Sequence, residues 1–247
     1  PDTDWGERVY AAFASEWQQL GGEILEVERY DDSRTDHGKL ISSMLNLDDS
    51  KARQQKLTRH LGTNLEFEPR RRQDVDFIFL IASSRQARLI RPQLRFYRAS
   101  SLPVYTTSRV YSGQPDADKD SDMNGIIFCD MPWTLESGGN ADHLQQNINT
   151  SWPANASRYR RLYALGIDAY RLTPYLGELG NNMFGAYHGV TGNLSLGARG
   201  HINRSLRCAE FSRGLPVLLE PAVANDAGAQ ATSLPAATTT HGYTKPR

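Results

Sequence analysis

Cysteine is scarce in this 247-residue chain: Cys129 and Cys208 are the whole supply, and neither sits in a C-x-x-C or Cys/His spacing. That removes zinc fingers and dithiol redox motifs. A lone pair fits either one disulfide in an oxidising compartment or two buried thiols, and the sequence leaves both open. Net charge is lacking as well, with 28 Lys and Arg against 28 Asp and Glu. A nucleic-acid partner held by bulk electrostatics is therefore not expected. No apolar run approaches the roughly 18 residues of a membrane span. The chain starts at Pro1 with no charged-then-apolar leader, so any targeting segment is expected to have been removed or to lie outside these residues, and its absence says nothing about compartment.

The motifs of catalysis are also missing. No G-x-G-x-x-G or P-loop follows a candidate strand, which removes the usual phosphate cradle, and the His residues at 37, 60, 143, 188, 201 and 241 show no ligand spacing. Asn193-Leu194-Ser195-Leu196-Gly197 lacks the first glycine of a nucleophile elbow. A catalytic Cys129 paired with His143 or His188 is conceivable, but a strand-end cysteine is usually packed and inert. No cofactor, no metal and no enzyme activity are expected.

What is present is a strand, helix, strand unit from Val75 to Ser108. Val75 and Phe77 to Ile81 form an almost continuous apolar run, as a strand buried on both faces of a parallel sheet requires. Ser83 and Ser84 offer hydroxyls to a helix start. Ala87, Ile90, Leu94 and Tyr97 then recur at helical spacing, with Pro92 predicting a kink or early break. Leu102 to Thr106 supplies the second strand, giving a βαβ block.

Around it, Trp5 to Leu20 reads as a helix with Val9, Phe13, Trp17 and Leu20 on one face, Asp4 as its cap and Gly21-Gly22 as its stop. Glu23 to Tyr30 is a weakly patterned strand, and Asp36 to Leu45 a second helix. Asp48 to Asp74 is a charged surface insertion whose first half suits a solvated helix. Val110 to Asn124 reads as a polar loop before a buried strand at Gly125 to Cys129. Helices are expected from His143, chiefly between Ser157 and Leu179, with Tyr159, Leu162, Tyr163, Ile167, Tyr170 and Leu172 as burial candidates and Pro174 as an interruption. Gly192 to Leu196 and Gly200 to Phe211 read as a hairpin. The Ala, Thr, Pro and Gly tail, 221–247, is expected to be disordered.

Three groups of side chains invite a functional role. Asp120, Asp122, Asn124 and Gly125 match the opening of a calcium loop, but Met131 stands where a bidentate Glu is needed, so a solvated turn is expected instead. Arg85, Arg88, Arg91, Arg95 and Arg98 line one helical face opposite the apolar stripe, a candidate docking surface for an acidic partner, against the plainer alternative of charges paired locally. Ligands of open α/β sheets settle beyond the carboxyl ends of the strands. That rule selects Ser83, Ser84, Thr107, Ser108, Asp130, Pro132 and Trp133 as candidate cleft or partner contacts, Trp133 offering a large amphipathic surface unless it merely covers the core.

Gly6-Glu7-Arg8-Val9 through Trp17 and Gly21-Gly22, with VDFIFLIASSRQARLIRPQL, LPVYTTSRVY, GIIFCDMPW and TGNLSLGARGHINRSL, resemble the C-terminal domain of the LppC family of outer-membrane lipoproteins, activators of penicillin-binding proteins. The likeness covers nearly all of residues 4–220. It implies an α/β fold, a Rossmann-like parallel sheet flanked by helices forming one lobe of type I periplasmic-binding-protein character, with the two-lobed architecture incomplete. On that basis 1–135 and 191–220 form the second lobe, and 136–190 is a helical crossover packing toward the missing first lobe, so that its aromatic face is expected to be partly exposed or rearranged here. It further implies a noncatalytic regulator of peptidoglycan biosynthesis whose partner is a bifunctional class A penicillin-binding protein. The expected place is the periplasm, attached to the outer membrane only through a lipid anchor outside this chain. The competing expectation is a periplasmic receptor for a small polar or cell-wall-derived ligand in the cleft.

Overall fold

The computed structural model describes residues 1–63, 66–136, 140–180, 186–197 and 200–220, so the tail expected to be disordered lies outside the described residues. Helix α1, Asp4–Gln19, is capped by Thr3 instead of Asp4, the Thr3 hydroxyl accepting the Gly6 N–H at 3.1 Å. Past Leu20 the chain turns at Gly21, whose φ of 85° suits a residue without a Cβ. Phe13 stacks on Phe79 and Trp17 meets Phe77 edge-on, with ring centroids 4.0 and 5.2 Å apart.

Residues 23–30 do not form the expected strand. A cavity of ≈ 500 Å3, bordered by Trp17, Ile24, Val27, Leu40 and Phe79, separates them from the sheet. They are tied at their ends instead. The Trp17 indole donates to Glu23 O at 3.2 Å, and the Tyr30 hydroxyl donates to Ile81 O at 2.8 Å. Helices α2, Gly38–Met44, and α3, Leu47–Leu61, follow, α3 being largely exposed as a charged insertion should be.

The βαβ unit is present. Strand β1, Ile78–Leu80, leads through α4, Ser84–Leu94, to β2, Val104–Thr106, and the strands pair in parallel with Ile78 opposite Val104. Pro92 lies within α4, which gives way after Leu94 to a π-helical turn, Arg95–Ala99, kinked at Tyr97 and at Arg98, whose φ is 68°. The loop expected before the next strand contains a short helix, α5, Ala117–Asp120. Strand β3, Ile126–Asp130, adds to β2 in parallel.

A helical run succeeds it: α6, Pro132–Leu135; α7, Asn140–Ser151; α8, Pro153–Ala156; α9, Arg160–Leu172; and α10, Leu176–Gly180, with Pro174 in the turn before α10. Strands β4, Tyr187–Gly189, β5, Gly192–Leu196, and β6, Ile202–Ser205, make a small antiparallel sheet. Strands β7, Arg207–Ser212, and β8, Leu215–Leu218, return to the main sheet, whose order is β1-β2-β3-β7-β8.

The sheet is therefore mixed, not wholly parallel. β3 pairs antiparallel with β7 and β7 with β8, because the chain enters β7 directly from β6 and turns back through Arg213-Gly214 without a crossover helix. The core lies between α4 and the sheet, where Leu94, Val104, Ile126, Phe128 and Phe211 are almost wholly buried. Phe128 and Phe211 stack across β3 and β7 at 5.0 Å. Cys129 stands opposite Cys208 in the same pair of strands, and the two form a disulfide.

Candidate functional site

The carboxyl end of β3 is the best-organised polar place in the lobe. Asp130, the last residue of the strand, is 1% exposed, and its Oδ1 accepts the Met131 N–H at 2.8 Å. Arg161, near the start of α9, reaches across to it. Its Nε lies 3.0 and 3.1 Å from the two carboxylate oxygens, and Nη2 donates to Asp130 Oδ2 as well. The same Nη2 donates to the backbone carbonyls of Ser108 at 3.1 Å and Tyr111 at 2.9 Å. A carboxylate buried this deeply needs a charged, hydrogen-bonded partner, and Arg161 provides it.

The helical run closes over the rest of the strand end. Trp133 is 3% exposed: its N–H donates to Val190 O at 3.0 Å, and its carbonyl accepts from Gln145 Nε2 at 2.8 Å. Ile148, Ala156 and Tyr163 line a small cavity together with it. Farther along α9, buried Asp168 receives the N–H groups of Val190 and Thr191 at 2.9 and 2.7 Å and the Thr191 hydroxyl at 2.6 Å. Arg161, Ala164, Asp168 and Leu172 thus form the inner face of α9.

Of the residues of the expected cleft, Trp133 and Asp130 are both buried, with Gln145 of α7 bonded to the first and Arg161 of α9 to the second. Ser108 takes part through its carbonyl alone, while Ser83, Ser84, Thr107 and Pro132 are half-buried at the rim of the strands. Ser83 precedes α4 without a side-chain cap bond, and the Thr107 hydroxyl is buried with no partner. The expected burial of Leu162 and Tyr170 is reversed: they are 62% and 84% exposed. The polar anchors Arg161 and Asp168 decide which way α9 faces. Their seven-residue spacing, two helical turns, was the signal available in the sequence, and counting apolar residues passed over it.

On α4 and the turn of helix after it the arginines mostly serve the fold. Arg88 binds buried Asp120 through Nε at 2.9 Å and Nη2 at 2.6 Å. Arg91, expected on the wet face, is 5% exposed and donates from Nε to Asn124 O at 3.1 Å. Burial, and then the neighbouring Arg95, hold its guanidinium below its ordinary pKa. Arg95 shares the Asn124 carbonyl, and Arg98 pairs with Glu68 at 2.6 Å. Arg85 is exposed. The residues resembling a calcium loop are used up in the same way, Asp120 by Arg88 and the Asn124 amide oxygen by the Gly214 N–H at 2.8 Å. The disulfide leaves Cys129 no thiol for catalysis.

An α/β lobe with parallel strands leading into a mixed sheet, its strand ends approached by a crossover segment, is the architecture of type I periplasmic binding proteins. A putative branched-chain amino acid ABC transporter from Rhodospirillum rubrum has the same fold, with a TM-score of 0.52 at 16% identity over 88% of this chain and 58% of that one. The chain belongs to the LppC lipoprotein family, whose model, described as LppC putative lipoprotein, matches residues 1–214. The penicillin-binding protein activator LpoA of Photobacterium profundum is 29% identical over 216 residues, which are 86% of this chain and 34% of that protein. The C-domain of LpoA from Haemophilus influenzae, described as a regulator of PBP1A, superposes with a TM-score of 0.59 at 22% identity, covering 89% of this chain and 59% of that one. This chain spans about a third of the length of the curated relatives it matches.

Proposed function

We propose that this chain is the second-lobe part of a noncatalytic regulator of peptidoglycan synthesis, which binds and activates a bifunctional class A penicillin-binding protein. In that reading 1–135 with 191–220 form the lobe and 136–190 the crossover. The observation that carries it is the family match over residues 1–214 together with relatives named as penicillin-binding protein activators. The chemistry of the strand ends is in keeping: a carboxylate neutralised by an arginine of the same chain is built for holding segments together. A periplasmic home, with a lipid tether to the outer membrane, suits both the lipoprotein family and a disulfide. The solute-receptor alternative is not favoured, since Arg161 occupies the place a small ligand would take.

Activation by a noncatalytic partner works by binding one state of the synthase better than another and shifting its population. Among the five arginines, Arg85 on α4 and Arg95 and Arg98 just beyond it keep exposed side chains and form the proposed contact, with Ser83 and Ser84 at its edge. The test is glycan-strand synthesis from lipid-linked substrate by a purified class A synthase, with and without this chain. A faster rate and co-precipitation are expected. Paired reversal, Arg85→Glu with Arg95→Glu, is expected to weaken binding about tenfold with the fold intact. An unchanged rate and no co-precipitation would overturn the activator role; full binding by the reversed variant would overturn the surface alone.

A further inference from the structure

The surroundings of Asp130 form a receptor for the Nε and Nη2 edge of one planar cation. Both carboxylate oxygens and the Ser108 and Tyr111 carbonyls converge on a single guanidinium, at 2.9 to 3.1 Å for the contacts of ordinary length. The carboxylate is wholly buried, while the Arg161 side chain that fills the place keeps 32% of its surface exposed. Two carbonyls beside a carboxylate match the fixed fork of an arginine and not the compact ammonium of a lysine. The position is also the one where lobes of this architecture take ligands, beyond the carboxyl ends of the strands. Yet the cation arrives from α9, which leaves Leu162, Leu165 and Tyr170 on its outer side in water.

We propose that the end of β3 is a guanidinium-recognition site occupied in cis by Arg161, so that α9 acts as a latch across the strand ends and a guanidino group from solution enters only when Arg161 withdraws. The latch is independent of the activator reading, because it concerns one pocket and one helix of this chain.

The experiment uses the full 247-residue chain, with methylguanidinium as the probe. Arg161→Ala leaves the Asp130 carboxylate buried without its cation and is expected to lower Tm by roughly 6 to 12 °C. Millimolar methylguanidinium is expected to recover part of that loss by filling the vacated site, through preferential binding to the folded state. The same additive leaves the wild type unraised. Hydrogen exchange should follow: the α9 amides and the Trp133 N–H lose protection in Arg161→Ala and regain it with the probe. Adding Asp130→Asn to Arg161→Ala should abolish the recovery.

A variant that melts within about 1 °C of the wild type would overturn the proposal. So would destabilisation that methylguanidinium does not relieve, or relief that persists after Asp130→Asn. If Arg161→Ala fails to fold in buffer, refolding in methylguanidinium is expected to recover it, and failure there counts against the latch equally.

Discussion

The sheet and the helical segment proposed as the crossover hold together by different physics. In the lobe, a continuous cluster running from Tyr30 through Leu94, Val104 and Phe128 to Phe211 is buried, and its polar ties lie at the margins. In the crossover the apolar cluster is small, Leu172 and Leu179 against Leu194 of β5, while Arg161 and Asp168 make the attachments. Apolar burial is additive and tolerant of direction, so the lobe is stabilised by many replaceable contacts. Polar attachments are directional and few, and each fixes where a helix sits. The crossover is expected to be the part that opens locally, while the lobe sets global stability.

The widest gap between the regions should come from Phe128→Ala. Phe128 is 1% exposed and stacks on both Tyr111 and Phe211. Removing it costs about 4 kcal/mol. Chemical denaturation should show the loss in a cooperative transition of the whole lobe; a loss confined to the crossover amides would break the contrast.

The disulfide comes next. It closes a loop with a sequence separation of 79 that contains the entire crossover, while both its ends lie in the lobe. Reduction, or Cys129→Ser with Cys208→Ser, should cost about 3 kcal/mol, chiefly by freeing the unfolded chain. Thermal melting with and without reductant measures it, and equal Tm values would remove the disulfide from the lobe's support.

Asp168→Ala sharpens the comparison from the other side. It leaves the buried N–H groups of Val190 and Thr191 without their acceptor, a local cost of about 2 kcal/mol. Hydrogen exchange should rise in α9 and the β4–β5 turn, with amides of β2 and β3 unchanged. Uniform loss of protection would mean that crossover and lobe unfold as one unit.

How much of this the sequence made legible follows the same division. The βαβ unit could be read because its apolar residues change period, from the unbroken run at Phe77–Ile81 to the spacing of Ala87, Ile90 and Leu94. The orientation of α9 was harder to read, because an aromatic at Tyr170 scores as core by composition while buried Asp168 scores as surface, and only the spacing of Arg161 and Asp168 marks the inner face. Two cysteines in sequence leave pairing open; only the β3–β7 register brings Cys129 opposite Cys208. Strand β8 was hidden by Pro216, which an edge strand accommodates where a central one would not. The five arginines from Arg85 to Arg98 have the right spacing for a charged face, yet local partners such as Asp120 and the Asn124 carbonyl are visible only once the loop from Val110 is folded back.

The smallest expected effect concerns a polar tie inside the lobe itself. Tyr30 is 8% exposed, and its hydroxyl donates to Ile81 O just past β1 at 2.8 Å. Burial first, then the charge of Asp32, pushes the phenol well up from its ordinary pKa of 10.0. Because the folded value is the higher one, the neutral phenol's contribution is fully present below pH 10.0 and is lost as pH rises beyond it, when the unfolded chain releases its proton first. Tyr30→Phe should therefore cost about 1 kcal/mol at neutral pH through the lost hydrogen bond, and its stability should fall less steeply than the wild type's above that point. Denaturation midpoints across the alkaline range test this. Parallel slopes for the two proteins would show that Tyr30, unlike Asp168 in the crossover, is held by its apolar neighbours alone, and the contrast between the regions would then be sharper still.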